Sequence, residues 1–479
     1  MRPNFLIIMS DDQGPWALGC AGTPELETPT LDHLADEGMR FKNFFCVSPV
    51  CSPARASFLT GCIPSSHGVH DWIRSGNFKI EGGVMRLGKD RPVGYGEPDH
   101  PTEYLEGVKG FTDYLVQDDY VCGLSGKWHL GDSGKPQKGH DFWCTHYKGG
   151  DSYNDYFIFD NSRNMTHQTQ YVTDLFTDRA LNFLDQYGNG ENPFCLSVHY
   201  TSPHTPWKRE EQPEEIWSIY EKRQFSSLPV LAPHPWGGWN PTPQQRKESI
   251  EGYFTTITAM DRNIGRLLSK LDEIGVTDNT VVLFTSDNGY NLGHHGTLGK
   301  GNGTFPLNMF EESVKVPFIA RFPGTIPGGV VNGDLVSHYD VLPTVLEMAG
   351  IKFSTGSSPG RSFTSSLKGD PGGSDVVVVC DEYGPVRMIR ERRWKYIHRY
   401  PYGLHELYDL EQDPSEVTNL IDNTEVRGEL KRLRGNLTDW FGMFVDSAQD
   451  GARLPVTGRG QINFGDRRNS GRCAFRPRQ

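Results

Sequence analysis

No apolar run in the sequence approaches the roughly 20 residues that a membrane-spanning helix needs, so no membrane partner is expected. There is no C-x-x-C pair: the nine cysteines form an odd set without regular spacing, which excludes the usual zinc motifs and a disulfide framework. Most are read as buried thiols that pack as small apolar groups. Positive charge is not in surplus either. The 48 Lys and Arg face 60 Asp and Glu, a net of −12, which excludes a nucleic-acid partner because phosphate backbones are held by clustered cations. A small anionic substrate needs only a local positive pocket and stays open. A secretion signal is missing too: Met1-Arg2-Pro3-Asn4 leads into only Phe5-Leu6-Ile7-Ile8-Met9, with no small-residue cleavage site. Read as written, the chain is expected in the cytoplasm, although one shortened ahead of residue 1 would read the same. No internal repeat is present.

What is present is enough apolar material for large cores: 36% hydrophobic residues over 479 positions, long enough for two or three domains. Apolar runs at 5–9, 121–125, 194–199, 280–285 and 316–322 read as strands. Helical spacing covers 30–39, 168–187, 244–271 and 339–349. Strands apolar on both faces that alternate with helices predict an α/β fold, a large mostly parallel or mixed sheet sandwiched by helices. A Ser-, Gly- and Pro-rich stretch at 354–373 marks a boundary. Strand patterns at 376–381, 386–390 and 394–398 and a helix from about 425 to 444 follow it. The expected division is a catalytic domain at 1–360 and a smaller α+β C-terminal domain at 374–479. The Pro- and Trp-rich stretch 228–243 reads as a surface loop near the site.

Ligands of such sheets sit at the carboxyl ends of the strands, just after Met9, Ser125, Tyr200 and Thr285. Asp11-Asp12 follows the first strand and Asp287-Asn288 another. Adjacent carboxylates repel unless a cation or solvent relieves them. A turn or helix cap explains one such pair; two pairs at one sheet edge make an all-oxygen set suited to calcium or magnesium. In an extended Gly126-Lys127-Trp128-His129, Lys127 and His129 point the same way, setting a cation beside a titratable imidazole. The sharpest motif is Cys51-Ser52-Pro53-Ala54-Arg55, continued to Thr60-Gly61. Pro53 suits a first helical turn and Gly61 its end, so Cys51 opens a short helix. Cys51 and Arg55 then share a face, with Arg55 lowering the thiol pKa or holding an anion. A buried Cys in an ordinary capped helix fits the same spacing.

The Cys-x-Pro-x-Arg motif followed by Thr-Gly resembles the signature of the type I, formylglycine-dependent sulfatases of the alkaline-phosphatase-like superfamily. Further matches run in order from about residue 3 to 420. They include the helix at 29–38, Pro203-His204-Thr205-Pro206, Leu298-Gly299-Lys300-Gly301, Arg393-Trp394-Lys395-Tyr396-Ile397 and Glu406-Leu407-Tyr408-Asp409-Leu410. Ala54 stands where the family frequently has serine, at a position the motif leaves open. The resemblance implies that a maturation enzyme oxidises Cys51 to formylglycine, whose hydrate is the nucleophile. It implies Asp11, Asp12, Asp287 and Asn288, with position 51, as ligands of Ca2+, Mg2+ remaining open. It implies sulfate contacts from Arg55, Lys127 and Lys300, with His129 at the formylglycine hydroxyl and His204 at the leaving oxygen.

Side chains between the motifs should choose the leaving group. His67, His70, Trp72, Arg74 and Asn77 follow the nucleophile helix, and His294 and His295 follow the metal pair. Aromatic faces and Arg or His donors suit an O-sulfated carbohydrate, such as a small glycosaminoglycan-derived saccharide. Core or surface packing explains each of these residues as well. The expected function is therefore a sulfuric ester hydrolase. The alternatives are a phosphonate or phosphate monoester hydrolase of the same superfamily and a non-catalytic sugar-binding relative, although neither Cys51, Arg55 nor a metal carboxylate is lost.

Overall fold

The structure is a computed structural model; it describes residues 2–73, 102–354, 356, 358–469 and 471–476, with the backbone of 78–81 and 84–87. Ten strands form the main sheet. They are β1 (Asn4–Ser10), β2 (Met39–Phe45), β3 (Val121–Gly126), β4 (His140–His146), β5 (Tyr156–Asp160), β6 (Met165–Gln168), β7 (Phe194–His199), β8 (Thr280–Ser286), β9 (Phe318–Arg321) and β10 (Val330–Ser337). Their spatial order is β10-β2-β9-β8-β1-β7-β3-β4-β5-β6. The central run β8-β1-β7-β3-β4 is parallel, and the flanking β9 and β5 are antiparallel to it. This is the mixed, mostly parallel sheet that the apolar runs imply.

Alternation along β1 sends its side chains to opposite faces. Phe5, Ile7 and Met9 meet Ala54 and Phe58 of α2 (Cys51–Thr60) and Leu342 and Val345 of α5 (Val341–Met348). Leu6 and Ile8 meet Leu31 and Leu34 of α1 (Pro29–Glu37), Phe176 and Phe183 of α3 (Val172–Tyr187), and Ile264 and Leu267 of α4 (Pro243–Glu273). Helices on both faces leave no side of β1 to water, and so its sequence is continuously apolar. Two helices are tied by a carboxylate: Asp261 of α4 accepts from the backbone N–H groups of Thr30 and Leu31 at 3.0 and 2.8 Å, complementing the α1 dipole.

A second, antiparallel sheet holds β11 (Val376–Asp381), β12 (Val386–Glu391), β13 (Trp394–Arg399) and β14 (Glu406–Asp409). One face packs Leu433, Leu437 and Phe441 of α6 (Arg427–Phe444). The other packs Phe45, Val50, Leu307 and Met309. The small sheet therefore braces the segment that leads into α2, and Cys380 donates its N–H to Val47 O at 2.9 Å.

Register decides what meets at the sheet edge. Met9 pairs with both Thr285 and His199, and Gly126 also pairs with His199. Four chain segments thus emerge side by side. Gly126 (φ +125°) is forced there: a Cβ would lie 1.9 Å from the His199 carbonyl oxygen. Gly126→Ala is expected to cost about 1–3 kcal/mol and to lose turnover as Lys127 shifts. Denaturant unfolding with an unchanged midpoint would contradict this.

Candidate active site

The segments leaving β1, β8, β3 and β7 meet the N-terminus of α2. Val50 is extended (φ −144°), α2 begins at Cys51, and all ten of its residues are buried. The Cys51 sulfur lies 3.5 Å from Asp11 Oδ1, 3.9 Å from Asp12 Oδ1 and 2.8 Å from the Lys300 ammonium. Lys127 Nζ reaches Asp11 Oδ2 at 2.5 Å, and Lys300 also pairs with Asp12. Arg55 Nε donates to Asp287 Oδ2 at 2.9 Å and Nη1 to Lys127 O at 3.1 Å. Arg55 Nη2, buried 3.9 Å from Asp11, has no hydrogen-bond partner. Asn288 donates to Asp12 Oδ1 at 2.8 Å while its own Oδ1 faces Lys300 at 3.3 Å.

Three buried carboxylates are met by three buried cations. Burial acts to raise the Asp287 carboxyl, but Arg55, Lys127 and Lys300 outweigh it and hold it well below the usual range. Burial likewise opposes Asp12, where Lys300 and His204 win. At Asp11, burial and the Asp287 charge win over Lys127 and the pKa rises. The ligand atoms of Asp11, Asp12, Cys51 and Asp287 lie within 4.8 Å of one another. The three carboxylates with the Asn288 amide oxygen are a hard-oxygen donor set that fits a divalent cation.

The histidines are held by the backbone. His204 Nδ1–H donates to Thr205 O at 2.7 Å, leaving Nε2 toward Asp12 Oδ2 at 3.9 Å. His129 Nε2–H donates to Ile73 O at 2.7 Å, and its buried Nδ1 has no partner. Burial, then Lys127 and Arg55, hold the His129 ring neutral, far below its ordinary pKa. Two expectations change here. The extended geometry for Lys127 and His129 fails, because β3 ends at Gly126 and His129 adopts φ +56°. Arg55 does not activate the thiol: its guanidinium goes to Asp287, and burial pushes the Cys51 pKa up despite Lys127 and Lys300.

The residues expected to contact the sugar are mostly engaged elsewhere. His67 is buried, with Nε2 at Ser57 Oγ (3.0 Å) and Nδ1 accepting from Val69 N (3.1 Å). Both nitrogens are therefore spent inside the protein. His70 is buried beside Phe475, its backbone N–H given to Gln461 Oε1 while neither ring nitrogen has a hydrogen-bond partner among the described residues, and burial takes its pKa to about 4. Trp72 packs on the second sheet's core and donates to Gly458 O at 3.2 Å. His294 packs on Trp16, and His295 stacks on Phe310 at 3.8 Å with Nε2 2.8 Å from Glu312. Glu416, beside His295 and Glu312, takes its positive charge from Lys395 at 2.6 Å. Arg74 and Asn77 lie outside the described residues. The 228–243 loop packs against the segment that carries Lys300: His234 N–H donates to Gly296 O at 2.9 Å, and Gly237 bridges to Thr304.

Sequence reasoning passed over Gly149-Gly150. A Cβ on Gly149 would meet the His129 ring at 2.4 Å, and one on Gly150 the His204 ring at 3.1 Å. It also passed over Tyr253, whose hydroxyl donates to Asp12 O at 2.9 Å and accepts from Gly14 N at 3.0 Å. Among the sequence signals only the Gly-Gly pair was visible, and it reads as a turn.

Comparison with known proteins decides the family. The sulfatase family profile matches residues 3–351. The chain belongs to the sulfatase family. A second profile, N-sulphoglucosamine sulphohydrolase, C-terminal, matches residues 303–441. This sulfatase is 26% identical to the N-acetylglucosamine-6-O-sulfatase of Bacteroides thetaiotaomicron over 94% of its own chain and 88% of the relative. It is 27% identical to the choline-sulfatase of Rhizobium meliloti over 88% and 83% respectively. A solved structure in complex with its substrate D-glucosamine-2-N,6-O-disulfate superposes with a TM-score of 0.76 at 24% identity, covering 95% of this chain and all of the other. That likeness is one of fold. As a member of the family the chain is a sulfuric ester hydrolase.

Asp287→Ala removes a candidate ligand and unpairs Arg55. The expected result is joint loss of bound metal and activity, with about 3–5 kcal/mol of stability. Unchanged metal stoichiometry by elemental analysis would overturn the ligand assignment.

Proposed function

We propose that this sulfatase hydrolyses the sulfate ester of an O-sulfated carbohydrate, with Cys51 as the precursor of a formylglycine made by a separate maturation enzyme. The observation that carries the reading is the setting of Cys51. Its sulfur sits at a helix N-terminus between the Lys300 ammonium and the carboxylates of Asp11 and Asp12. Burial holds it as a thiol, which is a poor nucleophile. This position supports chemistry by what the cysteine becomes. A formylglycine hydrate would offer one hydroxyl to attack sulfur and a second to release sulfate, without a separate hydrolysis step.

A divalent cation held by Asp11, Asp12, Asp287 and Asn288 would supply Lewis acidity toward the sulfate oxygens and the nucleophile. Calcium is the expected ion, and magnesium suits the same donors. The protein's own groups do the rest. Arg55, Lys127 and Lys300 present three positive charges to a sulfate seated above Cys51, matching charge that develops during transfer. The proton on His204 Nδ1 is committed to Thr205 O, so a proton for the departing sugar oxygen comes from Nε2 when the ring carries a second N–H there, and the ring keeps its Nδ1 proton afterwards. The His129 proton is committed to Ile73 O; its bare Nδ1 is the acceptor for a hydroxyl proton at position 51. Gly149 and Gly150 let the backbone lie against both rings and limit their rotation.

The carbohydrate reading is supported by the relative that acts, by its name, on N-acetylglucosamine 6-O-sulfate, and by the substrate of the matching structure. The competing phosphonate reading predicts a different preference. Given the sulfate and the methylphosphonate monoester of one phenol, the metal-loaded enzyme should cleave the sulfate at least about tenfold faster by kcat/KM, some 1.4 kcal/mol in transition-state binding. A reversed ratio would assign the chain to phosphonate chemistry.

A further inference from the structure

Three loops beside the site carry rings that face water on a rigid support. Phe305 is 71% exposed, Tyr402 98% and Leu404 58%, and Trp236 is half-buried beside them. One buried arginine ties these loops together. Arg399 donates from Nε and Nη2 to Leu307 O at 3.3 and 2.7 Å and from Nη1 to Leu404 O at 2.6 Å. Its guanidinium lies 5.3 Å from the centre of the Trp236 ring. Phe305 N–H donates to Trp236 O at 2.8 Å, and Gly237 bridges to Thr304. Single exposed apolar residues are ordinary, but an anchored group of them marks a surface that something covers.

Resting on the carbohydrate-sulfate reading, we propose that Trp236, Phe305 and Tyr402 form an aromatic platform for the sugar next to the sulfated one, making a sulfated oligosaccharide the preferred substrate. One loop joins the platform to the site. Phe305 stands on the loop that carries Lys300, whose ammonium touches Cys51. Five residues span at most about 18 Å. Asn308 stiffens that loop by donating to Lys300 O at 3.1 Å and Gly301 O at 3.2 Å. The chemistry matches a sugar. The C–H face of a pyranose carries slight positive charge and lies on the negative face of an aromatic ring. The Tyr402 hydroxyl and the Trp236 N–H are polar tips that can meet its hydroxyls. Loops whose backbone is already tied lose little freedom on binding. The other occupant such a surface could take is a second copy of the chain.

The test is isothermal titration of the full-length, metal-loaded protein with two probes: N-acetylglucosamine 6-sulfate, and tetrasaccharides derived from heparin and chondroitin sulfate. Phe305→Ala and Tyr402→Ala are compared with wild type; Tyr402 is so exposed that its removal leaves the fold untouched. A tetrasaccharide should bind wild type about tenfold tighter than the monosaccharide. Each variant should shrink that gap to about twofold, with monosaccharide affinity and kcat unchanged. A gap that survives both substitutions overturns the platform, as does parallel loss of both probes. Sedimentation showing a dimer that Phe305→Ala dissolves, with the affinities unmoved, assigns the surface to a second copy instead. Monosaccharide binding with no gap in wild type defeats the platform alone. Binding of neither probe defeats the carbohydrate reading as well.

Discussion

A charged carboxylate with no access to water needs a cation or hydrogen-bond donors beside it, and a buried cation needs a counter-charge. Asp11, Asp12 and Asp287 and their partners Arg55, Lys127 and Lys300 satisfy this condition collectively, from five separate stretches of chain. Removing any one leaves another charge unpaired in a low-dielectric pocket. The parallel register of β1, β8, β7 and β3 exists in step with this requirement. It brings Met9, Thr285, His199 and Gly126 to one level, so that the segments leaving these strands can supply the cluster. The net charge of −12 says nothing of this, because a local balance is invisible to a global sum.

Legibility followed burial. The strands that are apolar throughout, β1, β3, β7 and β8, were readable because both faces are covered, and the cluster residues that follow them were readable for the same reason. β2, β4, β6 and β10 were not. They carry charged, amide and hydroxyl side chains such as Arg40, Lys42, Asp141, Thr166 and Asn332, and several of these positions face water. Polar strands at a sheet's margins lack the continuous pattern that separates strand from loop. The residues Asp11, Asp12, Cys51, Arg55, Lys127, His204, Asp287, Asn288 and Lys300 do converge, because each is tied to a strand end or to the helix N-terminus.

The sugar-facing residues were the least legible. His67 and His70 sit close to Cys51 in sequence, but the turn after α2 folds them into the interior, where a Ser hydroxyl, a backbone N–H and the C-terminal tail receive them. Proximity along the chain carries little information about which side of a turn faces a pocket. Exposed rings on the loops around Arg399 carry no periodic signal at all. Their relation to Lys300 comes from hydrogen bonds between distant loops, Phe305 to Trp236 and Arg399 to Leu307, which no local pattern encodes. Gly149 and Gly150 matter for the same reason: their lack of a Cβ is read by two histidine rings supplied by other segments.

On the proposed reading the residue at position 51 works as an oxidised cysteine, in a pocket where burial raises the pKa of the unmodified thiol. That reading is tested most directly by the mass of the tryptic peptide covering residues 43–55, taken from catalytically active protein. That peptide contains Cys46 as well as Cys51, so it carries its own unmodified thiol as reference. An aldehyde should stand in place of one thiol, with fragment ions placing it at position 51 and Cys46 intact. Active protein whose peptide holds two intact thiols would contradict the reading.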